Sequence, residues 1–536
     1  MKIHYQMIRQ WNRMFTLFSV SALLMLAACD DKKEGTPSKP SLSLDASTLS
    51  LKLGDSKDIV ATISAAGKIK NITATVDVGT LKLADITSIV GKNTGTVTIT
   101  YTAPQALGPA KITIEVTDNI DQKISTDVTV DVSAQPPLDI AAGNVEGTWG
   151  PFRTYNIKGN VTVAAGKSLR ILEGTTIIID GDGTQVNSPS IVVAGNFYSY
   201  GTEKNPILFS VPEAKRTKAN IFAGLWGGIL ATIESQEMAV IYTRIEFVGA
   251  PAVANTNIVT SGELKEGDPR FALYFTNPNG KFVMLNSTIA YTKDDGLRVN
   301  QGKFLVANST FVLNGQTGGD QLNIKSGAVG DVAFNVFFQG ATNGIKFSNS
   351  DGRDPQMETN VYNNTAINCG WRQTKSGRGG SFNLEKGGRG KVYNNMIVNC
   401  KFGVRFPKSP DNPDLANSFV GYNLYYGAKD VISAQFYPST ISSVVKGDFE
   451  TANDVSGATN TNNPNFVNFN VTTFDEVAAA NPANMDFPAA WNLKPNTGSP
   501  ALGKTKTNFT TKFSTHSLDG KSYAVPVPAA NIGAVQ

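Results

Sequence analysis

The stretch that decides the fold is a set of short segments between residues 286 and 428: NSTIAY at 286, NSTFVL at 308, NVFFQG at 335, NTAINC at 364, NMIVNC at 395 and NLYYGA at 423. Their starts lie 22, 27, 29, 31 and 28 residues apart, and between and after them come the short alternating strands GLRV, QLNI, GIKF, FNL and GVRF. A repeat of this length, built of short strands and asparagine turns, is one coil of a parallel β-helix. Coils stack at about 4.8 Å, so like residues fall in columns. Asn286, Asn308, Asn335, Asn364, Asn395 and Asn423 are therefore expected to form one ladder of side-chain amides that satisfies the turns.

Upstream, residues 41–135 have another texture. Segments such as LSLDASTLSLKL, GTVTITY and STDVTVDV alternate with period two and are separated by turn residues, which predicts a β-sandwich. Gln135-Pro136-Pro137 closes it, because consecutive prolines cannot continue a ladder. The fold class expected for the whole chain is all-β: an N-terminal sandwich, then a right-handed parallel β-helix over residues 140–536. Composition agrees. With 41% hydrophobic and 17% charged residues the chain is neither disordered nor a coiled coil. Histidine occurs only as His4 and His516, which leaves little from which to build a histidine zinc site or a Ser-His-Asp triad. Cys29, Cys369 and Cys400 are too few for a disulfide scaffold.

Residues 1–29 are an address. Lys2, Arg9 and Arg13 precede the apolar run Phe15 to Ala28, which is too short for a comfortable membrane span. The run ends in Leu26-Ala27-Ala28-Cys29 and resembles a bacterial lipobox, with Cys29 as the lipidated residue. Residues 30–40, opening on Asp30-Asp31-Lys32-Lys33-Glu34, make a polar tether. Acidic residues after the cysteine resemble the surface-export signal of some Gram-negative lipoproteins, which implies an outer-membrane location at the cell surface; in other Gram-negative lineages Asp at that place implies inner-membrane retention. Membrane contact is expected through the lipid only. Without the three basic residues of the leader, the charge of +4 falls almost to zero, which argues against a nucleic-acid partner. A monomer is expected.

Further motifs carry a resemblance. VTVAAGKSLRILEGTTIII, GTEKNPILFS, GLWGGI and YTRIEFVGA resemble the opening coils of the pectate-lyase-like superfamily of right-handed β-helices. NPNFVN, WNLKPNTGSPALG and NIGAVQ resemble the closing segment of such proteins. The sandwich resembles the immunoglobulin-like modules found beside the anchor of surface lipoproteins. The superfamily holds lyases, hydrolases, epimerases and adhesins, so the resemblance implies a fold and a polysaccharide partner rather than one reaction.

Aligning the strands on the inward pairs Leu297/Val299, Leu322/Ile324, Ile345/Phe347, Phe382/Leu384 and Val404/Phe406 leaves an outward row of Arg298, Asn323, Lys346, Asn383 and Arg405. Asp295 and Asp320 fall on adjacent coils beside that row, with Asp294 next to them. Lyases of this fold neutralise a uronate carboxylate, usually with Ca²⁺ on aspartates, and remove its α-proton with Lys or Arg. By type, Asp294, Asp295 and Asp320 suit the calcium, and Lys346 suits the base, its pKa expected to be lowered by like-charge repulsion from Arg298 and Arg405. The same aspartates suit the acid and base of a hydrolase, and they also suit plain turns. Nearby cations should depress an aspartic acid's pKa, which favours elimination over hydrolysis.

Residues 369–408 add a basic patch in which Trp371, Arg372, Lys375, Arg378 and Arg389 are the expected glycan contacts. Glu385 is the one acid there. Cys369 and Cys400 should stack in one inward column as buried thiols, with a disulfide as the alternative. Three functions remain open: a surface protein that binds an anionic polysaccharide along the β-helix, a calcium-assisted polysaccharide lyase, and a structural or adhesive protein.

Overall fold

A computed structural model describes residues 35–481 and 490–536. The leader and Cys29 lie outside the described residues. The chain forms two compact units.

The N-terminal unit is a sandwich of two four-stranded antiparallel sheets. One contains Ser41–Leu44, Ser56–Ser64, Thr94–Thr102 and Thr80–Leu83. The other contains Thr48–Lys52, Lys123–Ser133, Gly108–Asp118 and Ile69–Val76. Alternation in sequence becomes alternation in burial: Ile59, Ala61 and Ile63 point inward on one strand, Ile112, Ile114 and Val116 on another.

The second unit is a right-handed parallel β-helix with three sheets of nine, ten and eleven strands. On the nine-stranded sheet Leu297 pairs with Leu322, that with Ile345, and that with Phe382. The inward residues of every pair are buried, so the period-two reading holds for these coils. The last of the five expected strands, around Val404 and Phe406, is reduced to a single bridge between Asn383 and Arg405.

The ladder departs from expectation by one residue at its start. Asn335, Asn364, Asn395 and Asn423 are consecutive rungs: the amide of Asn364 donates to Val332 O and Tyr362 O (both 3.0 Å), and its Oδ1 accepts from Asn335 N (2.9 Å). The N-terminal continuation is Ser309 and Ser287, whereas Asn308 and Asn286 sit one position earlier with φ of 51°. Asparagine is favoured in both places, as a side-chain amide and as a residue that tolerates the left-handed region. Asp454 closes the ladder, accepting from Asn423 N (2.8 Å). Cys369 and Cys400 are both buried free thiols.

The C-terminal segment runs over the ten-stranded sheet and is pinned to it by ion pairs of Asp519 with Arg170, Lys512 with Glu358 and Lys506 with Glu450. The nine-stranded sheet is covered in part by the inserted segment 250–272, whose Ala252, Ile258, Leu264 and Phe271 pack with Leu230 and Tyr274.

Candidate functional site

Register on the nine-stranded sheet places Tyr274, Arg298, Asn323, Lys346 and Asn383 in one outward column, and the bridge adds Arg405. The turns before these strands supply Asp294, Asp295 and Asp320, and the strand start supplies Asn343. All of these but Tyr274 line a cleft of about 370 Å³, along with Lys325, Glu385, Lys375, Arg378 and Asp411. The three aspartates and three cations singled out from sequence thus share one site. The glycine of the turn before Asp320 is required: Gly319 has φ +87°, and a Cβ there would lie 2.6 Å from Asp294 Oδ1.

Asp295 organises the floor. Its Oδ2 accepts from Arg298 Nε (3.0 Å) and Nη2 (2.7 Å) and from Asn323 Nδ2 (2.9 Å), while Oδ1 accepts from Asp320 N (2.7 Å). Burial opposes its charge, but Arg298 and these donors outweigh it and hold the carboxyl below the usual range. Arg298 also packs over the Phe271 ring at 4.0 Å, which fixes its plane.

The other two aspartates behave oppositely. Burial, then the neighbouring Asp295 charge, raises Asp294 to about 7 and Asp320 to about 6. The sequence argument that cations would depress them is corrected: desolvation and the ionised Asp295 outweigh Arg298 and Lys346. Asp320 Oδ1 accepts from Asn343 Nδ2 at 2.8 Å.

Lys346 is not arranged as a base. Its Nζ lies 3.2 Å from Glu385 Oε1. Burial disfavours its charge, yet Asp320 and Glu385 outweigh burial and raise its pKa above the ordinary lysine value. The expected lowering by Arg298 and Arg405 is therefore corrected too. Glu385 is the partner the sequence reading left out of the site. The signal was present, because Glu385 stands two residues after Asn383 and so on the same face of its strand. Arg405 donates from Nη1 to Gly377 O (2.6 Å) and from Nη2 to Asn343 Oδ1 (3.0 Å); burial lowers it to about 10.

The basic patch divides. Lys375 and Arg378 are exposed at the mouth of the cleft. Arg372 is only 5% exposed and donates to the carbonyls of Gly315 (2.9 Å), Asn314 (3.1 Å) and Gln339 (2.8 Å); it braces turns rather than meeting solvent. Trp371 gives its indole N–H to Asn399 O (2.8 Å) and packs on Phe474. Arg389 pairs with Glu358 (3.0 Å) beside the ten-stranded sheet, away from the cleft. These three were expected at the glycan, and burial or pairing removes them from it.

The calcium expectation meets the same geometry. Among the described residues no three His, Cys, Asp or Glu side chains converge as a metal-binding group. Both Asp295 oxygens already accept from Arg298, Asn323 and the Asp320 amide, so Asp295 is engaged within the protein.

No family model and no curated protein matches the chain. Among solved structures, domains 4 and 5 of the S-layer protein SbsC match 18% of the chain at 22% identity and a TM-score of 0.15; the chain spans about half, 54%, of that structure. The longer rSbsC(31-844) structure matches 19% of the chain and 14% of its own length, at 21% identity and a TM-score of 0.16. The family 28 exopolygalacturonase of Yersinia enterocolitica matches 73% of the chain and 81% of its own length, at 10% identity and a TM-score of 0.22. Scores this low add nothing to what the strand register already establishes: an all-β protein whose β-helix carries a charged cleft on its nine-stranded sheet.

Proposed function

We propose that the protein is a monomeric lipoprotein, anchored through Cys29 to the outer membrane of a Gram-negative bacterium, and that its β-helix binds an acidic polysaccharide in the charged cleft. The N-terminal sandwich is read as an immunoglobulin-like spacer. One observation carries the binding reading. The floor cations Arg298 and Lys346 are committed to Asp295 and Glu385, whereas Lys375 and Arg378 at the mouth are exposed and make no ion pair among the described residues. Exposed, unpaired cations beside buried, paired ones are what a carboxylate or sulfate group would meet first. The test is titration of the mature protein with polygalacturonate, alginate and chondroitin sulfate at rising salt. Affinity should fall with salt, and Lys375→Glu with Arg378→Glu should weaken it at least about tenfold. Binding that ignores both changes removes the reading.

A second reading is favoured by the aspartates. Asp294, raised to about 7, is about half protonated at neutral pH beside an ionised Asp295, whereas Asp320, raised to about 6, keeps its proton only below that. A protonated carboxyl next to a carboxylate suits acid–base hydrolysis of a glycosidic bond. Elimination through Lys346 has less support, because that ammonium is paired and its pKa raised. Release of reducing ends without an ultraviolet-absorbing unsaturated product would mark hydrolysis; an unsaturated product would mark elimination.

A further inference from the structure

The cleft floor holds more acid than its cations neutralise. Asp295 is paired with Arg298, and Glu385 with Lys346. Arg405, the third floor cation, directs its donors to Gly377 O and Asn343 Oδ1 rather than to a carboxylate. Asp294 and Asp320 line the same cleft and form no ion pair among the described residues. Lys325, Lys375, Arg378 and Asp411 complete the ring of charge around them, and Glu263 faces Arg298 from the inserted segment.

The three aspartates also crowd one another. Asp294 and Asp295 share one turn, and Asp320 stands at the matching place on the next coil, about 4.8 Å along the stack. Asp320 N donates to Asp295 Oδ1 (2.7 Å), and Gly319 packs against Asp294 Oδ1, so the turn of Asp320 lies against both other carboxyls. Like charges packed this way, in a site largely shut off from water, do not all ionise together. With Asp294 and Asp320 protonated, the three floor cations face two carboxylates; with both ionised, they face four. The floor thus changes from net positive to net negative as two protons leave.

We infer that the cleft takes up protons as it binds an acidic glycan, with Asp294 and Asp320 as the carriers, so that its hold tightens in mild acid and loosens in mild alkali. The inference rests on the acidic-glycan reading of the cleft. An anionic chain on this floor favours the protonated carboxyls, and by the reciprocity of linked binding those protons favour the chain. The pH window follows from burial and the Asp295 charge, which raise Asp294 to about 7 and Asp320 to about 6. Uronate carboxylates stay ionised throughout it. Asp331 and Asp454 are also raised to about 7, but neither lines the cleft: Asp331 accepts from the C-terminal segment at Lys512 N, and Asp454 ends the asparagine ladder. His516, beside Lys281 and Lys303, is lowered to about 4 by burial and lies below the window.

The experiment is calorimetric titration of the mature protein with galacturonate oligomers at fixed ionic strength, at pH 5.5 and pH 8, and at pH 6.5 in phosphate and in imidazole, two buffers of different ionisation heat. Wild type should bind at least about tenfold more tightly at pH 5.5 than at pH 8, since one linked proton changes affinity by up to about tenfold per pH unit. At pH 6.5 the heats in the two buffers should differ in the sense of proton uptake. Asp294→Asn with Asp320→Asn fixes the neutral form at nearly constant shape. This double variant should bind at pH 8 within about threefold of wild type at pH 5.5, and its own affinities at the two pH values should agree within about twofold. Equal wild-type affinity at the two pH values, or equal heats in the two buffers, overturns the inference and leaves the cleft reading standing. A double variant that keeps the wild-type pH dependence overturns it as well. If wild type binds the oligomers at neither pH, the cleft reading fails and takes this inference with it.

Discussion

Lys346 Nζ lies 3.2 Å from Glu385 Oε1, on the next coil of the same sheet. The pair joins two strands across the cleft floor and turns a candidate base into a structural cation. Glu385→Gln should therefore leave a mostly buried ammonium unpaired, and it should cost about 3 kcal/mol, read as a lower denaturant midpoint for the β-helix. A double variant, Lys346→Met with Glu385→Gln, should recover most of the loss. Equal stability of Glu385→Gln and wild type would show that the pair is not formed in solution.

The raised aspartates predict a pH dependence of definite sign. Asp294 is raised to about 7 and Asp320 to about 6, above an unfolded value of about 3.9. Between those values the folded state holds protons that the unfolded state has lost. Stability from these groups therefore falls as pH rises from about 4, and levels off above about 7. Asp294→Asn should stabilise the protein by on the order of 1–3 kcal/mol at pH 8 and by little at pH 4. Denaturation curves at the two pH values check this; an effect of the same size at both would refute the assignment.

The ladder makes a contrast between two asparagines. Asn364→Ala should cost about 2–4 kcal/mol, because it strands the buried amide of Asn335 and two carbonyls. Asn308→Gly should cost under about 1 kcal/mol, because Asn308 supplies only a positive φ, which glycine also adopts. Thermal midpoints of the two variants decide whether the ladder runs through Ser309 and Ser287 rather than Asn308 and Asn286, as the hydrogen bonds indicate.

The divided basic patch separates arginines that look alike in sequence. Arg389→Glu should leave glycan affinity within about twofold of wild type, as expected of a charge remote from an interface. Arg372→Glu should not fold stably, since it buries a carboxylate against three carbonyl oxygens. Circular dichroism and the same titrations score both. A large loss of affinity in a well-folded Arg389→Glu protein would move the site to the other sheet.

These contrasts also show what was legible. Period-two alternation and coil spacing placed Leu297, Leu322, Ile345 and Phe382 in one column, because inward positions of a β-helix must be apolar and side chains must alternate. The outward column followed from the same register. The ladder slipped by one residue at Asn286 and Asn308, because asparagine serves two turn positions for different reasons. The charge run around Arg372 misled because a cation's place in sequence does not say whether carbonyls surround it. The sign of the Asp294 and Asp320 shifts needed burial, which sequence does not supply.

The central claim is that the cleft on the nine-stranded sheet binds an acidic glycan by its charge. The most direct measurement is a paired titration of the mature protein with polygalacturonate fragments and with the same fragments after carboxyl reduction, at low salt. The account predicts that the acidic fragments bind at least about tenfold more tightly, a difference of about 1.4 kcal/mol, and that the Lys375→Glu and Arg378→Glu variant loses that preference. Equal affinity for the acidic and reduced fragments, or an unchanged preference in the variant, would contradict it.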